Sequence, residues 1–225
     1  GCLTIYNIPK ITLPSTVTNL TYVCRQCYAL QEVPFTNLNH VQTFNASFSN
    51  TSIKEFNFSL NSATNLTQMF WQTFTLQTVK FSNVPVGQIT DMSYTFGGAQ
   101  SLTYIKPFDT SGTTNFRNCF NLLKFDMDLS WVDTSNGTNF ESMLEGNIGI
   151  TDASWLNITT SAYNVIELFN GCTRLTKYPT MDLTNCTNLQ ATFATNRLMV
   201  EPPTLNNASG ITGCMQTFQN CTNLK

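Results

Sequence analysis

The sequence predicts a repeat solenoid of short parallel β-strands alternating with helical or 3₁₀ turns, in about nine repeats of ~24–25 residues. Two observations carry this. An apolar phrase, L-x-x-h-x-h with h hydrophobic, recurs at near-constant spacing along all 225 residues. A second phrase, Asn-hydrophobe, then an aromatic or Leu, then a small residue, lies upstream of it. Near-verbatim returns support both: "FRNCFNLLKF" from Phe116, "FNGCTRLTKYP" from Phe169 and "FQNCTNLK" from Phe218.

The strand phrase runs Leu3-Tyr6-Ile8, Leu30-Val33-Phe35, Ile53-Phe56-Phe58, Leu76-Val79-Phe81 and Leu102-Ile105 with Pro107. It continues as Leu122-Phe125-Met127, Ile150-Ala153-Trp155, Leu175-Tyr178, Leu198-Val200 and Leu224. Nine intervals separate Leu3 from Leu224, a mean period of about 24.6 residues. Alternation within V-x-F marks a short strand with one face inward.

The turn phrase pairs Asn19-Leu20 with Cys24 and Cys27, Asn65-Leu66 with Phe70 and Thr73, and Asp91-Met92 with Phe96 and Ala99. It returns at Asn139-Phe140 with Leu144 and Asn147, and at Asn188-Leu189 with Phe193. Its three- to four-residue spacing suits a turn of helix or 3₁₀. Stretches such as "LPST", "DTSG" and "DTSN" have loop chemistry. The fifth unit is irregular. Placing Phe116 at the aromatic position keeps Leu122-Phe125-Met127 in register, and makes that unit short and the next long.

One such unit cannot bury its apolar face alone, whereas stacked units share a core. Residues 1–225 are therefore expected to form a single leucine-rich-repeat-like solenoid. Both ends fall at nearly the same phase of the repeat and neither reads as a polar cap, so a window on a longer array is expected.

Charged residues make up 11% of the chain and the net charge is -2, which speaks against nucleic acid or an anionic membrane as partner. No apolar run is long enough for a transmembrane helix, so no membrane insertion is expected. No signal peptide opens the sequence, and no cofactor motif or phosphate-binding Gly-rich loop is present.

The phrase "DTSNGTNFESML" (133–144), followed by "FNGCTRLTKYP", resembles the BspA-like leucine-rich repeats, including the variant of mycoplasma-type surface lipoproteins. The resemblance covers essentially the whole chain. It implies a curved solenoid with one parallel sheet, used for adhesion and recognition. It implies surface proteins of bacteria and some protists, and virion appendages such as phage tail fibres. It brings no catalytic residues with it.

The chemical candidates read mainly as structure. Cys24 and Cys27 form a C-x-x-C, open to a redox or half-zinc reading. Yet Cys27, Cys119, Cys172 and Cys221 are assigned to one repeat phase, as buried thiols would be. No metal site is expected. His40, the single histidine, lies in a connecting stretch without a positioned nucleophile. The carboxylates are scattered, many in loop motifs (Asp109, Asp133, Asp182). Ten N-x-S/T sequons follow from an Asn- and Thr-rich repeat.

The candidate binding residues are those flanking the inward strand side chains, which should point outward along the sheet. These are Glu32, Glu55, Thr78, Lys80, Tyr104, Lys106, Lys124, Asp126, Asp152 and Lys177, with no catalytic set among them. Solenoids use such extended faces for binding. The expected function is non-enzymatic recognition or adhesion, or a structural role, outside a cell. A phage virion appendage, tail fibre or receptor-binding protein, is the first reading. A bacterial or protist cell-surface adhesin is the second, and a carbohydrate-active enzyme on a repeat scaffold the third. The expected partners are a host or bacterial cell-surface protein or glycan, other virion or surface proteins, or further copies of the chain. The expected location is a virion surface or a cell surface.

Overall fold

The turn phrase dictates one side of the molecule. In the computed structural model, which describes residues 8–225, each turn phrase is a ribbon of overlapping β-turns rather than a helix. Unit by unit, alternate amides bond within the ribbon and across to the next repeat. Met69 N–H, Trp71 N–H and Thr73 N–H donate back to the carbonyls of Leu66, Gln68 and Phe70. Gln68, Phe70 and Gln72 donate across to Ser93, Thr95 and Gly97.

Two residues per ribbon, four apart, adopt positive φ. The pairs run from Tyr22 and Gln26 through Gln68 and Gln72 to Gln216 and Asn220. The only helix among the described residues is the 3₁₀ turn Ala208–Gly210, in a loop, so the expected helical or 3₁₀ turns are replaced by this ribbon. The reason is the left-handed residue every fourth position, which closes one tight turn and reverses the next.

The Asn that opens each phrase starts the ribbon. Asn19, Asn65, Asp91, Asn115, Asn139, Asn164 and Asn188 each accept, through Oδ1, the backbone N–H two residues on. This is the local Asx turn that favours Asn and Asp. These positions, with Thr43 in the second unit, also stack as parallel bridges from Asn19 to Asn164, spaced 22 to 26 residues apart.

Asn115 bridges both Asp91 and Asn139, which fixes the fifth unit. Phe116 is the first hydrophobe, stacked on Phe140 at 5.7 Å, and Phe120 is the aromatic, stacked on Phe96 at 5.5 Å. The expected register is therefore four residues off there, and the fifth and sixth units have ordinary lengths. Leu122 and Phe125 are exposed, at 44% and 49%, while Leu123 and Met127 are buried. Cys119 leaves the cysteine phase and sits beside Phe120, at the phase of Thr95. In the eighth unit Met199 faces inward in place of the expected Leu198 and Val200.

The strand side is built from β1 (Ile11–Thr12), β2 (Phe35–Thr36), β3 (Glu55–Ser59), β4 (Thr78–Ser82), β5 (Tyr104–Ile105), β6 (Met181–Asp182) and β7 (Leu205–Asn206). All pairings are parallel, as β1-β2, β3-β4-β5 and β6-β7. The core lies between strands and ribbon. Val33, Phe56, Val79 and Ile105 fill it from the strands, and Phe48, Phe70, Phe96 and Phe120 stack through it from the ribbon. Phe169, Phe193 and Phe218 continue the stack further along. Leu3 and Tyr6 lie outside the described residues.

The small residue after the aromatic is a donor as much as a filler. Thr73 Oγ1, Cys172 Sγ and Cys221 Sγ donate to the carbonyls of Phe48, Leu144 and Phe193 in the preceding unit. Burial pushes the Cys172 thiol up to about 12 and Cys186 to about 11, so both remain protonated and inert. The "DTS" loops stack similarly: Asp133 N–H donates to Thr110 Oγ1 at 2.8 Å, and that hydroxyl donates to Asp133 O.

Candidate functional site: the strand face and its two breaks

Outward strand residues form two rows. The first, two positions after each apolar anchor, runs Glu32, Glu55, Thr78, Tyr104, Asp128, Asp152 and Lys177. Glu55 pairs with Thr78, Thr78 with Tyr104, and Asp152 with Lys177. The second row holds Asn57 against Lys80, then Lys106, Ser130 and Ser154. The structure thus aligns eight of the ten expected residues on one face. Lys124 and Asp126 are exposed but belong to neither row. Lys124 stands at the phase of Gln100, where ribbon meets strand, and Asp126 at the anchor phase of Leu102 and Ile150.

Asp126 explains why the sheet stops. An aspartate at an inward anchor position would be a buried, unpaired charge. The chain instead turns Asp126 to solvent and buries Met127, and Asp126 Oδ2 accepts a bond from Thr151 Oγ1 at 3.3 Å. The fifth unit consequently contributes no strand. On its other side β5 is only two residues long, cut short before Pro107, which has no N–H to give. The other break separates β2 from β3.

A cleft opens at each break. The first, about 460 Å³, lies over Lys10, Glu32, Glu55, Asn57 and Phe58. The second, about 380 Å³, is walled by Asp126, Asp128, Asp152, Ser154 and Trp155. A hollow of about 130 Å³ beside it is lined by Tyr104, Asp128 and Trp131.

Asp128 and Asp152, on the walls of the second cleft, are held ionised. The Ser154 hydroxyl, the Lys177 ammonium at 2.9 Å and the Ser154 amide bring Asp152 down to about 2. The Ser130 hydroxyl and amide lower Asp128 similarly.

Asp128, Ser130, Lys54 and Gln77 escape a reading by anchor alone. Aligning "FDTSG" (108–112) on "VDTSN" (132–136), 24 residues apart, would have placed Asp128 opposite Tyr104. His40 touches Asn39 Oδ1 at 3.3 Å. Among the described residues no group of three His, Cys, Asp or Glu side chains is placed to hold a metal ion. Nor does any described helix have the length and apolarity to cross a membrane.

Residues 36–153 and 64–184 match the family described as "Mycoplasma protein of unknown function, DUF285". The chain belongs to that family. The segment "DTSNGTNFESML", on which the mycoplasma-type repeat was expected, lies inside both matches. Two solved structures are similar to the DUF285 chain. One is a leucine-rich repeat protein from Bacteroides ovatus, 16% identical with a TM-score of 0.47, over 96% of this chain and 65% of that one. The other is a leucine rich cell surface protein from Faecalibacterium prausnitzii, 15% identical with a TM-score of 0.41, over 100% of this chain and 73% of that one. The chain thus spans just under two thirds of the length of the Bacteroides protein. No curated protein gave a significant match.

Proposed function

We propose that the chain is a non-enzymatic recognition module displayed outside a cell, binding partners through its strand face. The observation that supports this is how differently the two sides employ their polar groups. On the ribbon and in the loops, Asn, Thr and Cys side chains are committed to neighbouring units. On the strand face, no described residue hydrogen-bonds or ion-pairs with the side chains of Glu55, Asn57, Lys80, Tyr104 or Lys106, all of them exposed. A row of committed-to-nothing polar groups, repeated about every 4.8 Å, is a surface able to sum many weak contacts.

Catalysis is disfavoured by charge state. Glycoside cleavage by a carboxylate pair needs one member protonated. In the second cleft Asp128 and Asp152 are both held below the usual carboxylate range. Display on a cell surface is favoured over a virion by the family description, which refers to Mycoplasma proteins. The partner is a cell-surface protein or glycan.

The test is adhesion of the purified chain to epithelial and bacterial cells. Lys80→Glu with Lys106→Glu should reduce adhesion severalfold, and Arg25→Glu on the ribbon should leave it unchanged. Equal adhesion by all three proteins would exclude the strand face, and glycan cleavage by the native chain would overturn the non-enzyme reading.

A further inference from the structure

Of the two clefts on the strand face, the first has the balanced chemistry. It opens where β2 and β3 fail to pair, and its walls come from successive units: Lys10, then Glu32, then Lys54 and Glu55. Two ammonium and two carboxylate groups leave no net charge. Lys10 is drawn to one wall by Glu32 at 3.4 Å and by the Val33 carbonyl at 2.9 Å. Three primary amides, Gln31, Asn57 and Gln77, share the lining. Each presents donors and an acceptor at once. No described residue hydrogen-bonds to these three side-chain amides or to the side chains of Lys54 and Glu55.

Resting on the strand-face reading, we infer that this groove binds a neutral oligosaccharide. Sugar hydroxyls both donate and accept, often as adjacent pairs. A wall that alternates ammonium, carboxylate and amide groups answers both demands without selecting a charge. Phe58 supplies the apolar surface that a sugar's C–H face requires. Its ring lines the groove half-buried, braced against Phe56 with ring centroids 4.8 Å apart. The groove extends over four units, roughly 14 Å at ~4.8 Å each, which suits several linked rings better than one. An anionic ligand would meet Glu32 and Glu55, and a cationic one Lys10 and Lys54. An extended peptide would have to add a strand between β2 and β3, which lie in consecutive units already tied by the Ser52 N–H to Leu30 O bond at 2.9 Å.

The experiment uses the whole chain on a printed panel. The panel holds neutral hexose and N-acetylhexosamine oligosaccharides, their sialylated and sulfated counterparts, and lysine-rich and glutamate-rich peptides. Binding should fall on neutral members and weaken roughly tenfold or more in Glu55→Ala with Asn57→Ala. Both residues are exposed, so this double variant should keep the native circular dichroism; Gln77→Ala is the independent second variant. Asp152→Asn, in the other cleft, should leave panel binding unchanged. Binding confined to charged glycans or to peptides overturns the inference, as does neutral-glycan binding that both groove variants retain.

Cell adhesion separates the two readings. If Lys80→Glu with Lys106→Glu abolishes adhesion while the panel stays blank, the strand face stands and the groove assignment falls. If neither set of variants changes adhesion or panel binding, both fall.

Discussion

The ribbon and the strand face are wound from the same units, yet one is unbroken and the other is interrupted twice. On the ribbon, amides reach the next unit from Tyr22, bonded to Asn45, to Thr195, bonded to Gln219. On the strand face, pairing stops between β2 and β3 and again after β5. The ribbon tolerates varied side chains because its register is set by backbone turns and, in seven units, by one Asx residue. A strand register depends on every inward residue being apolar and every amide being present, so one Asp126 or one Pro107 breaks it. The molecule is held together on one side, which leaves the other free to open clefts.

If that division is right, losing a ribbon aromatic should cost far more than losing a strand-side aromatic at a break. Phe96 is fully buried between Phe70 and Phe120, with centroids 6.1 and 5.5 Å away. Phe96→Ala should lower stability by roughly 3–5 kcal/mol in urea unfolding. Phe125→Ala, at an exposed position, should cost less than about 0.5 kcal/mol. Comparable losses from the two would mean that the fifth unit is threaded in the register first read from its sequence.

That misreading shows what the sequence exposes and what it hides. The period, the inward phases of Val33, Phe56, Val79 and Ile105, and the aromatic stack are legible because burial forces apolar residues onto fixed phases. Eight of the ten expected face residues follow from the same alternation. The ribbon's shape is not legible. Its left-handed positions are occupied by Tyr22, Gln68, Leu122 and Glu167 as well as by Gly98 and Gly146, so no single residue type marks them. The clefts are hidden too, because they arise from failures of pairing. Only alignment on the loop motif reveals that Asp126 stands where its neighbours carry Leu or Ile.

A second, smaller effect tests the ribbon's backbone. Gly146 has φ +67, and a Cβ there would lie 2.6 Å from Leu122 Cδ2 in the unit before. Gly146→Ala should cost about 1–3 kcal/mol, part strain and part clash. Adding Leu122→Ala should return the clash component but not the strain. Full recovery in the double variant would mean that the left-handed turn carries no strain of its own.

The break itself can be repaired. Asp126→Leu offers an apolar anchor at the phase of Leu102 and Ile150. It should stabilise the chain by about 1 kcal/mol and slow hydrogen exchange at the amides of 127–129. If those amides exchange as fast as before, Asp126 is not what interrupts the sheet.

The smallest expected effect separates the two sides by pH. On the strand face, hydrogen bonds from Ser154 and Lys177 depress Asp152 to about 2. A depressed carboxylate adds stability above its unfolded pKa, near 3.9, and loses it as pH falls towards 2. On the ribbon the sign is opposite. Burial, with the charges of Glu167 and Glu141, raises Glu145 above its ordinary 4.5. Its ionised form is therefore penalised in the fold, and acidifying through its raised pKa relieves the penalty. Stability should rise slightly as pH falls from 7 towards 4.5, the ordinary value of Glu145, then decline below about 4 as the Asp128, Asp133 and Asp152 contributions are lost. Glu145→Gln should remove the rise and leave the decline, while Asp152→Asn should soften the decline and leave the rise. Both groups are partly solvated, so each change is a fraction of the Phe96→Ala loss. Urea unfolding of the three proteins from pH 3 to 8 decides it. A rise that survives Glu145→Gln would place the acid-sensitive group elsewhere and remove the electrostatic part of the contrast between ribbon and strands.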